Sequence, residues 1–506
     1  MAKYKHYDYS QSVLSPVCLD EQLIPGTLEF AIHTLVEERI DTSIFEDRYH
    51  NDETGRLAYD PKILLKVVLF GYSRGLMSSR KIERACKENV TFMALSCGQQ
   101  PDHSTIATFV SSMKDEILPL YRDILLVCEE EDLLGGTFFA LDGCKVSSNA
   151  SKEWSGTISD FQKRKEKMEN RIGQLLEEQV QEDKKVDEDG KGDGSWGIPN
   201  RKKQIERLKK KAERIEEFLK ENGPRIGKQG REVQSNITDN ESCKMKSSHG
   251  IVQGYNAQAL VDNKHQVILH AEAFGDAQDH HLIPQILDGA KENMVAIGQG
   301  EDYFEGAIFT ADSNYHDPTN LKKCEEEKLD AYIPDKQFRN RDPRFQNDNR
   351  RQRRRVGRFT LKDFQHDKEN DAYLCPGRKV LKLRAKKAVV DGVIYKRYSA
   401  DGQECKGCEL KAKCMMSVKG KGRILNVPIG HVPGNLSKAM ADKIDSEKGR
   451  RIYPQRLAIV EPVFANIETH KGMNRFTLRE KIKVNIQWLL YCMVHNIGKI
   501  VAYGAT

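Results

Sequence analysis

The stretch FFALDGCKVSSNASKEW, from Phe138 to Trp154, sets an apolar run against a carboxylate. Phe138 to Leu141 reads as a buried strand that ends on Asp142, after which the chain turns polar. Two readings are open for Asp142-Gly143: a hairpin turn, for which Asp-Gly is a strong short-range signal, or one member of a site whose other members lie far along the chain. A second stretch repeats the arrangement. In GAIFTADSNYHD a short apolar strand at Ala307 to Thr310 runs into Asp312, again followed by small and polar residues. In an open sheet such a position puts the carboxylate at the strand's edge, where ligands bind. A third carboxylate, Glu461, lies in YPQRLAIVEPVFANIETH, preceded by Tyr453 and Arg456 and followed by Pro462, which suits a first helical turn. Taken singly, the three have plain structural readings as a turn, a helix cap and an exposed helix position. Together, two strand-end aspartates and a helical glutamate have the chemistry to hold two divalent cations about 3.5–4 Å apart for an in-line phosphoryl displacement. Hard oxygen ligands select Mg²⁺ or Mn²⁺.

A chain of 506 residues is long enough for two to four domains, since single cores stop growing at roughly 250–300 residues. Its 31% charged and 38% hydrophobic content suits a globular protein with polar insertions and argues against a disordered one. The formal charge of +6 permits nucleic-acid binding without demanding it. No apolar run reaches the ~18 residues of a membrane span, and MAKYKHYDYS at the start lacks a signal-peptide core. The expectation is a cytoplasmic protein without a membrane partner. In that reducing setting the twelve cysteines do not form a disulfide framework, and only close spacings invite a metal reading.

Along the chain, residues 1–130 read as helical. YDPKILLKVVLFGY (Tyr59 to Tyr72) puts Pro61 at a helix start; Ser78 or Ser79 caps SSRKIERACKENV; Ser104 or Thr105 caps STIATFVSSM. Short helices around tight turns, with Arg80, Lys81 and Arg84 on one of them, fit a helix-turn-helix-like DNA reader, and equally an ordinary bundle with a solvated basic face. From Lys152 to Glu221 charge dominates. Ile205, Leu208, Ala212, Ile215 and Leu219 alternate three and four apart, a coiled-coil seam, and Met168, Ile172 and Leu175 form an earlier arm across the Gly-rich Asp187 to Gly197. A charged helical hairpin is expected, either a solvated arm or one that grips DNA or dimerises. Then GYNAQALVD and QVILHAEAF form an antiparallel hairpin, a helix covers His280 to Glu292, and LDAYIP after the second aspartate is another short strand. Residues 335–447 read as basic and mostly irregular, and two long helical patterns follow, around Val460 and from Val484 to Ile500.

At this point the sequence resembles bacterial insertion-sequence transposases of the DDE class, in the group numbered eleven-eighty-two. The resemblance covers nearly the whole chain. It is carried by Gly55 to Leu95, PDHSTIATF (Pro101 to Phe109), LDGCKVSSNASK, GYNAQALVD, DAQDHHL (Asp276 to Leu282), TADSNY, and Val460 to Lys499, in that order. It implies an RNase H-like mixed α/β sheet with flanking helices, and Asp142, Asp312 and Glu461 as the metal-binding catalytic triad. Tyr453 and Arg456 match the tyrosine and arginine that accompany the glutamate. The implied reaction is Mg²⁺-dependent cleavage at the ends of the protein's own element, followed by joining of the 3′-hydroxyls to target DNA. The implied partners are double-stranded DNA, as terminal inverted repeats and target, and further copies of the chain. Two departures stand out. Relatives carry a lysine where this chain has Glu468 in Phe464-Ala465-Asn466-Ile467-Glu468, leaving Lys471 as the substitute, and a glycine-tyrosine pair where this chain has Asn314-Tyr315.

Two further clusters complete the reading. Cys375, Cys405, Cys408 and Cys414 give one cysteine, then a Cys-x2-Cys pair and one more, the donor set of a structural Zn²⁺ site or else a group of unliganded loop thiols. Arg350, Arg351, Arg353, Arg354 and Arg355, with Arg358, are dense enough for phosphate contact, against a solvated charged loop as the alternative. The expected organisation is a helical DNA-binding part at 1–130, catalytic-domain pieces at 131–151, 231–334 and 448–506, a helical hairpin insertion at 152–230, and a basic, cysteine-containing insertion at 335–447. Two rival functions keep the same architecture: a decayed or domesticated DNA-binding protein without catalysis, and a metal-dependent nuclease that cuts without joining.

Overall fold

The structure, a computed structural model, describes residues 17–49, 57–189, 198–227, 230, 232–247, 250–345, 359–390, 393–415, 422–431 and 435–504. Its centre is a mixed sheet built around β1 (Phe138–Ser147). On one side β1 pairs antiparallel with the long β5 (Gly250–Asp262), which pairs antiparallel in turn with β4 (Cys243–Ser247) and β6 (Ile268–Phe274). On the other side β1 pairs parallel with β7 (Ile308–Thr310), and β7 pairs parallel with β8 (Asp330–Tyr332). The expected hairpin is the β5–β6 pair. Its turn is fastened by Asp262, whose carboxylate accepts from the backbone N–H groups of Gly135, Gly136 and Lys264.

β1 does not stop at Asp142. It runs on to Ser147, paired with β5 throughout, so the hairpin reading of Asp142-Gly143 is wrong and Asp142 is a mid-strand residue. What ends near Asp142 is the parallel pairing, whose last partners are Ala140 and Thr310. Gly143 serves close packing instead of a turn: a Cβ there would lie 2.0 Å from Gln258 Nε2.

One hydrophobic core runs from Ile32 to Ile500 and includes the amino-terminal helices. The helix Pro61–Ser73 begins as expected, with Pro61 in its first turn and Asp60 accepting from Lys62 N. The helix Ser79–Glu88 starts after Ser78, whose hydroxyl makes no cap bond. The next long helix, His103–Ser111, starts earlier than expected, because Asp102 and not Ser104 or Thr105 is the cap; its carboxylate accepts from both of their N–H groups. These helices pack around Lys481–Tyr503, the last helix: Tyr72 stacks on Tyr491 with ring centroids 4.9 Å apart. The same helix clamps the sheet, since the Trp488 indole donates to the Gln258 carbonyl and Asn496 bonds both backbone groups of Ile268.

The charged segment forms two helices, Ile158–Asp189 and Ile198–Glu221, entered and left through a ribbon of β2 (Ser155–Gly156) and β3 (Ser235–Asn236). Ile205, Ala212 and Ile215 are buried on the expected seam, joined by Leu175, Phe161 and Phe218. Asp187 to Asp189 continue the first helix, and the remainder of the expected link lies outside the described residues.

The segment expected to be irregular is a second sheet. β9 (Gln365–Asp367), β10 (Ala372–Leu374), β11 (Val380–Val390), β12 (Val393–Ser399) and β13 (Ile424–His431) form five antiparallel strands over a small separate core of Phe364, Tyr373, Leu381, Tyr398, Ala400 and Leu425. The strand period is present in β11, where exposed Lys382, Arg384 and Lys386 alternate with more covered Leu381, Leu383 and Ala385, but its lysine content lowers the apparent strand propensity. Two helices also differ from expectation. The helix expected from His280 spans Ile283–Ala296, after a left-handed His281 (φ +63°). Pro462 lies inside the helix Gln455–Ala465 and not in its first turn. The carbonyl it deprives of a donor, Ala458 O, accepts instead from Gln266 Nε2 at 2.9 Å.

The β1–β5 register is tested at Gly254, where an added Cβ would lie 2.0 Å from the Val146 carbonyl oxygen. Gly254→Ala is expected to destabilise the chain by about 1–3 kcal/mol, read as a lowered calorimetric melting temperature. A melting curve superposing on that of the wild type would contradict the register.

Candidate active site

Parallel register brings the two aspartates together. Ala140 faces Thr310 in the last β1–β7 pair, and Asp142 and Asp312 each lie two residues beyond it. Asp312 caps a short 3-10 turn, Ser313–Tyr315: one carboxylate oxygen accepts from Asn314 N at 2.7 Å and the other from Asn314 Nδ2 at 3.1 Å. Asp142 Oδ1 accepts from Gly143 N at 2.9 Å, and Oδ2 accepts from Arg456 Nη1 at 2.6 Å. Burial pushes the Asp312 carboxyl above its ordinary range, with the charges of Asp142 and Asp279 adding to the rise and Asn314 and Arg456 opposing it. Burial acts against the Arg456 guanidinium, but Asp142, Tyr453 and Asp312 together hold its pKa above the usual value. Tyr453, whose ring meets Phe338 edge-on at 5.4 Å, is pushed up chiefly by its own burial. Asp142, Asp312, Arg456 and Tyr453 thus form one cluster.

Beneath it lies a buried polar network. Asp279 Oδ1 accepts from Asn256 Nδ2 at 2.7 Å, Lys145 Nζ at 2.8 Å and Gln258 Nε2 at 3.2 Å. Gln258 also donates to Asn256 and accepts from the Tyr315 hydroxyl. Lys145 follows Asp142 on β1, Asn256 and Gln258 share one face of β5, and Tyr315 follows Asp312. The network therefore ties both aspartate-bearing segments to the sheet. Sequence reading passed over these residues individually, although polar side chains two apart within an apolar strand were a usable signal.

Glu461 is placed differently. It is exposed, and five residues separate it from Arg456, about 140° around the helix at 100° per residue. The carboxylate that reaches β1 is Glu468, in the π-helical turn Asn466–His470. Burial and then the Glu468 charge push the Cys144 thiol well above its usual range. Glu468 also borders a cavity of about 530 Å³ lined by Gly143, Lys145, Ser147 and Lys246. Lys471 is buried away from the aspartates, its pKa brought down to about 8 by burial and by Lys499.

The hard oxygens of Asp142 and Asp312, crowded with like charge, suit Mg²⁺ or Mn²⁺. Among the described residues no group of three or more His, Cys, Asp or Glu is arranged around a common metal position. Arg80, Lys81 and Arg84 are exposed on the helix Ser79–Glu88, with Arg84 paired to Glu88 at 2.9 Å. Arg350, Arg351, Arg353, Arg354, Arg355 and Arg358 lie outside the described residues. Cys375, Cys405, Cys408 and Cys414 line one small cavity of the second sheet module. No helix among the described residues is long and apolar enough to cross a membrane.

Comparison with known proteins gives two family matches. Residues 374–501 match a family described as Transposase DDE domain, and residues 17–112 match one described as Transposase domain (DUF772). No curated protein matches the chain, and no solved structure does. The first match contains Arg456 and Glu461, and the second contains Arg80, Lys81 and Arg84.

The crowding of Asp312 has a pH signature. With its folded pKa above the unfolded value, the folded chain binds this proton more readily, so the stability tied to Asp312 is lost as pH rises through that interval. Asp312→Asn is expected to melt about 1–2 °C above the wild type at neutral pH. The gap should close as pH falls toward the carboxyl's ordinary 3.8. A variant that melts lower at every pH would contradict the crowding.

Proposed function

We propose that this chain, which its family matches support as a DDE insertion-sequence transposase, cuts DNA at the ends of its own insertion sequence and joins the 3′-hydroxyl ends to target DNA. The observation that carries the reading is the aspartate pair, Asp142 and Asp312, held at the edge where parallel pairing between β1 and β7 stops. The strand arrangement around it, three antiparallel strands β6-β5-β1 followed by two parallel ones, β7 and β8, suits an RNase H-like domain. The motifs also favour the eleven-eighty-two group.

In this reading Asp142 and Asp312, with Glu461 as the third ligand, would hold divalent cations, Mg²⁺ or Mn²⁺. Bound there, the cations supply activation of the attacking oxygen and stabilisation of the leaving oxygen. Arg456 fixes the Asp142 carboxylate in direction, and Tyr453 backs the guanidinium. Asn314 fixes the Asp312 rotamer from both oxygens. The network under the pair holds both segments still, which matters because phosphoryl transfer depends on positioning more than on covalent chemistry from the protein. Lys471, buried beside Lys499, does not take the lysine role in this reading; Lys145 and Lys246, at the adjoining cavity, are the cations nearest to hand for a strand entering there. Arg80, Lys81 and Arg84 would contact phosphates, as would the arginine-rich 350–358 segment. Pairing two element ends calls for at least two copies of the chain, acting on the nucleoid within the cytoplasm.

The exposure of Glu461, about 140° around its helix from Arg456, favours a second reading, a transposase-derived protein that binds DNA without cutting it. One assay separates the two: purified chain with Mg²⁺ or Mn²⁺ and a plasmid carrying the gene with its native flanking DNA. The expected result is metal-dependent breaks at the element's boundaries and joined products. Asp142→Asn, Asp312→Asn and Glu461→Gln should each reduce cleavage by at least the ~100-fold that changes in residues supporting metal ligands reach. Binding of the flanks without any cut would establish the second reading, and cutting without joining would make the protein a nuclease. Unimpaired cleavage by the Asp142 or Asp312 variant would remove the aspartate pair from the chemistry.

A further inference from the structure

We infer that Cys375, Cys405, Cys408 and Cys414 form a structural zinc site, independent of the aspartate pair, that holds the second sheet module together. The four residues come from separate local structures. Cys375 lies in the turn between β10 and β11, Cys405 in the short helix Gly402–Lys406, Cys408 just beyond it, and Cys414 at the end of the helix Lys411–Cys414. All four line the same cavity of about 20 Å³, a volume that accommodates one ion-sized particle. Gly377 lies against two of the sulfurs at once: a Cβ there would be 3.7 Å from both Cys375 Sγ and Cys408 Sγ, so those sulfurs are at most twice that distance apart.

The surroundings suit thiolates. The Lys379 N–H donates to Cys375 Sγ at 3.2 Å, while Cys375 N donates back to Lys379 O at 2.9 Å, which curls the turn so that the sulfur faces inward. Lys379, Lys411 and Arg423 border the cavity, with Glu404 as the opposing charge. Four neutral thiols would leave those cations with little to face, whereas a zinc tetrathiolate carries a net charge of −2. Arg423 Nε is buried without a hydrogen-bond partner among the described residues, and a thiolate would supply its acceptor. Sulfurs in a tetrahedral site stand about 3.8 Å apart, from Zn–S bonds of about 2.3 Å. The four thiols are not gathered around one point, so binding the ion would require their side chains to rotate inward. The module has a reason to need it: six buried side chains are a small core for five strands, the circumstance in which a metal substitutes for apolar burial.

The test uses the full-length chain, expressed with zinc in the medium. Elemental analysis should find about one zinc per chain, and replacing zinc by cobalt should produce the intense thiolate-to-cobalt charge-transfer absorption of a tetrahedral sulfur site. Cys405→Ser with Cys408→Ser should cut bound metal at least tenfold, whereas Cys18→Ser with Cys97→Ser, at exposed thiols elsewhere, should retain it. Wild-type protein with under a tenth of an equivalent of metal and no cobalt charge-transfer band would overturn the site, as would full metal retention in the Cys405/Cys408 variant. The wild-type measurements stand even if that variant fails to fold. Because the readout is metal content and not DNA cleavage, failure here leaves the proposed transposase activity untouched, and the reverse holds too.

Discussion

Two carboxylates held side by side, with one buried guanidinium between repulsion and order, set the terms for the rest of the molecule. The β1–β7 register brings Asp142 and Asp312 into proximity, and the register is itself maintained by β5 on the far side of β1. Like charges at close range in a partly buried site are costly, and Arg456 offsets that cost only because the helix Gln455–Ala465 lies across the strand. That helix contains a proline at an interior position, tolerated because Gln266, in the turn between β5 and β6, bonds the freed carbonyl. The path from sheet to hairpin to helix therefore closes on itself, and each segment is placed by the next.

The buried network of Lys145, Asp279, Asn256, Gln258 and Tyr315 adds a polar layer within this loop. Buried amides and a buried ion pair are weak contributors to net stability but strict about geometry, since every donor left over is penalised. Gly143 shows how little slack there is: its missing side chain is the space that the Gln258 amide occupies. Rigidity of this kind is what a site that works by positioning needs.

Much of this was legible in the amino-acid order, and what was not has physical causes. Phe138 to Leu141 and Ala307 to Thr310 announced buried strands because continuous apolar runs bounded by polar residues have few other uses. The point at which β1 ends was not legible, because Cys144 and Val146 alternate with polar residues that face a partner strand more than a hundred positions away. Helix starts were read correctly where proline fixed them, at Pro61, and missed where a carboxylate outcompeted nearby hydroxyls, at Asp102. The second sheet was hidden by its lysines and arginines, which have poor strand propensity as single residues yet sit comfortably on an exposed strand face. Asp142, Asp312 and Arg456 were singled out from sequence and meet in space. Glu461 was singled out in the same way and is an exposed residue of the helix that carries Arg456; helical phase depends on where the helix is docked, and one sequence does not state that.

The last helix, Lys481–Tyr503, is shared property: it fills the core between amino-terminal helices and clamps β5 and β6 through Trp488 and Asn496. A ribosome delivers those residues long after the helix Pro61–Ser73 that packs on them. The amino-terminal helices therefore cannot complete their packing ahead of that helix. Fragments made by interrupted translation lack the piece on which both halves close. The architecture thereby makes the packing of both groups of elements depend on one helix.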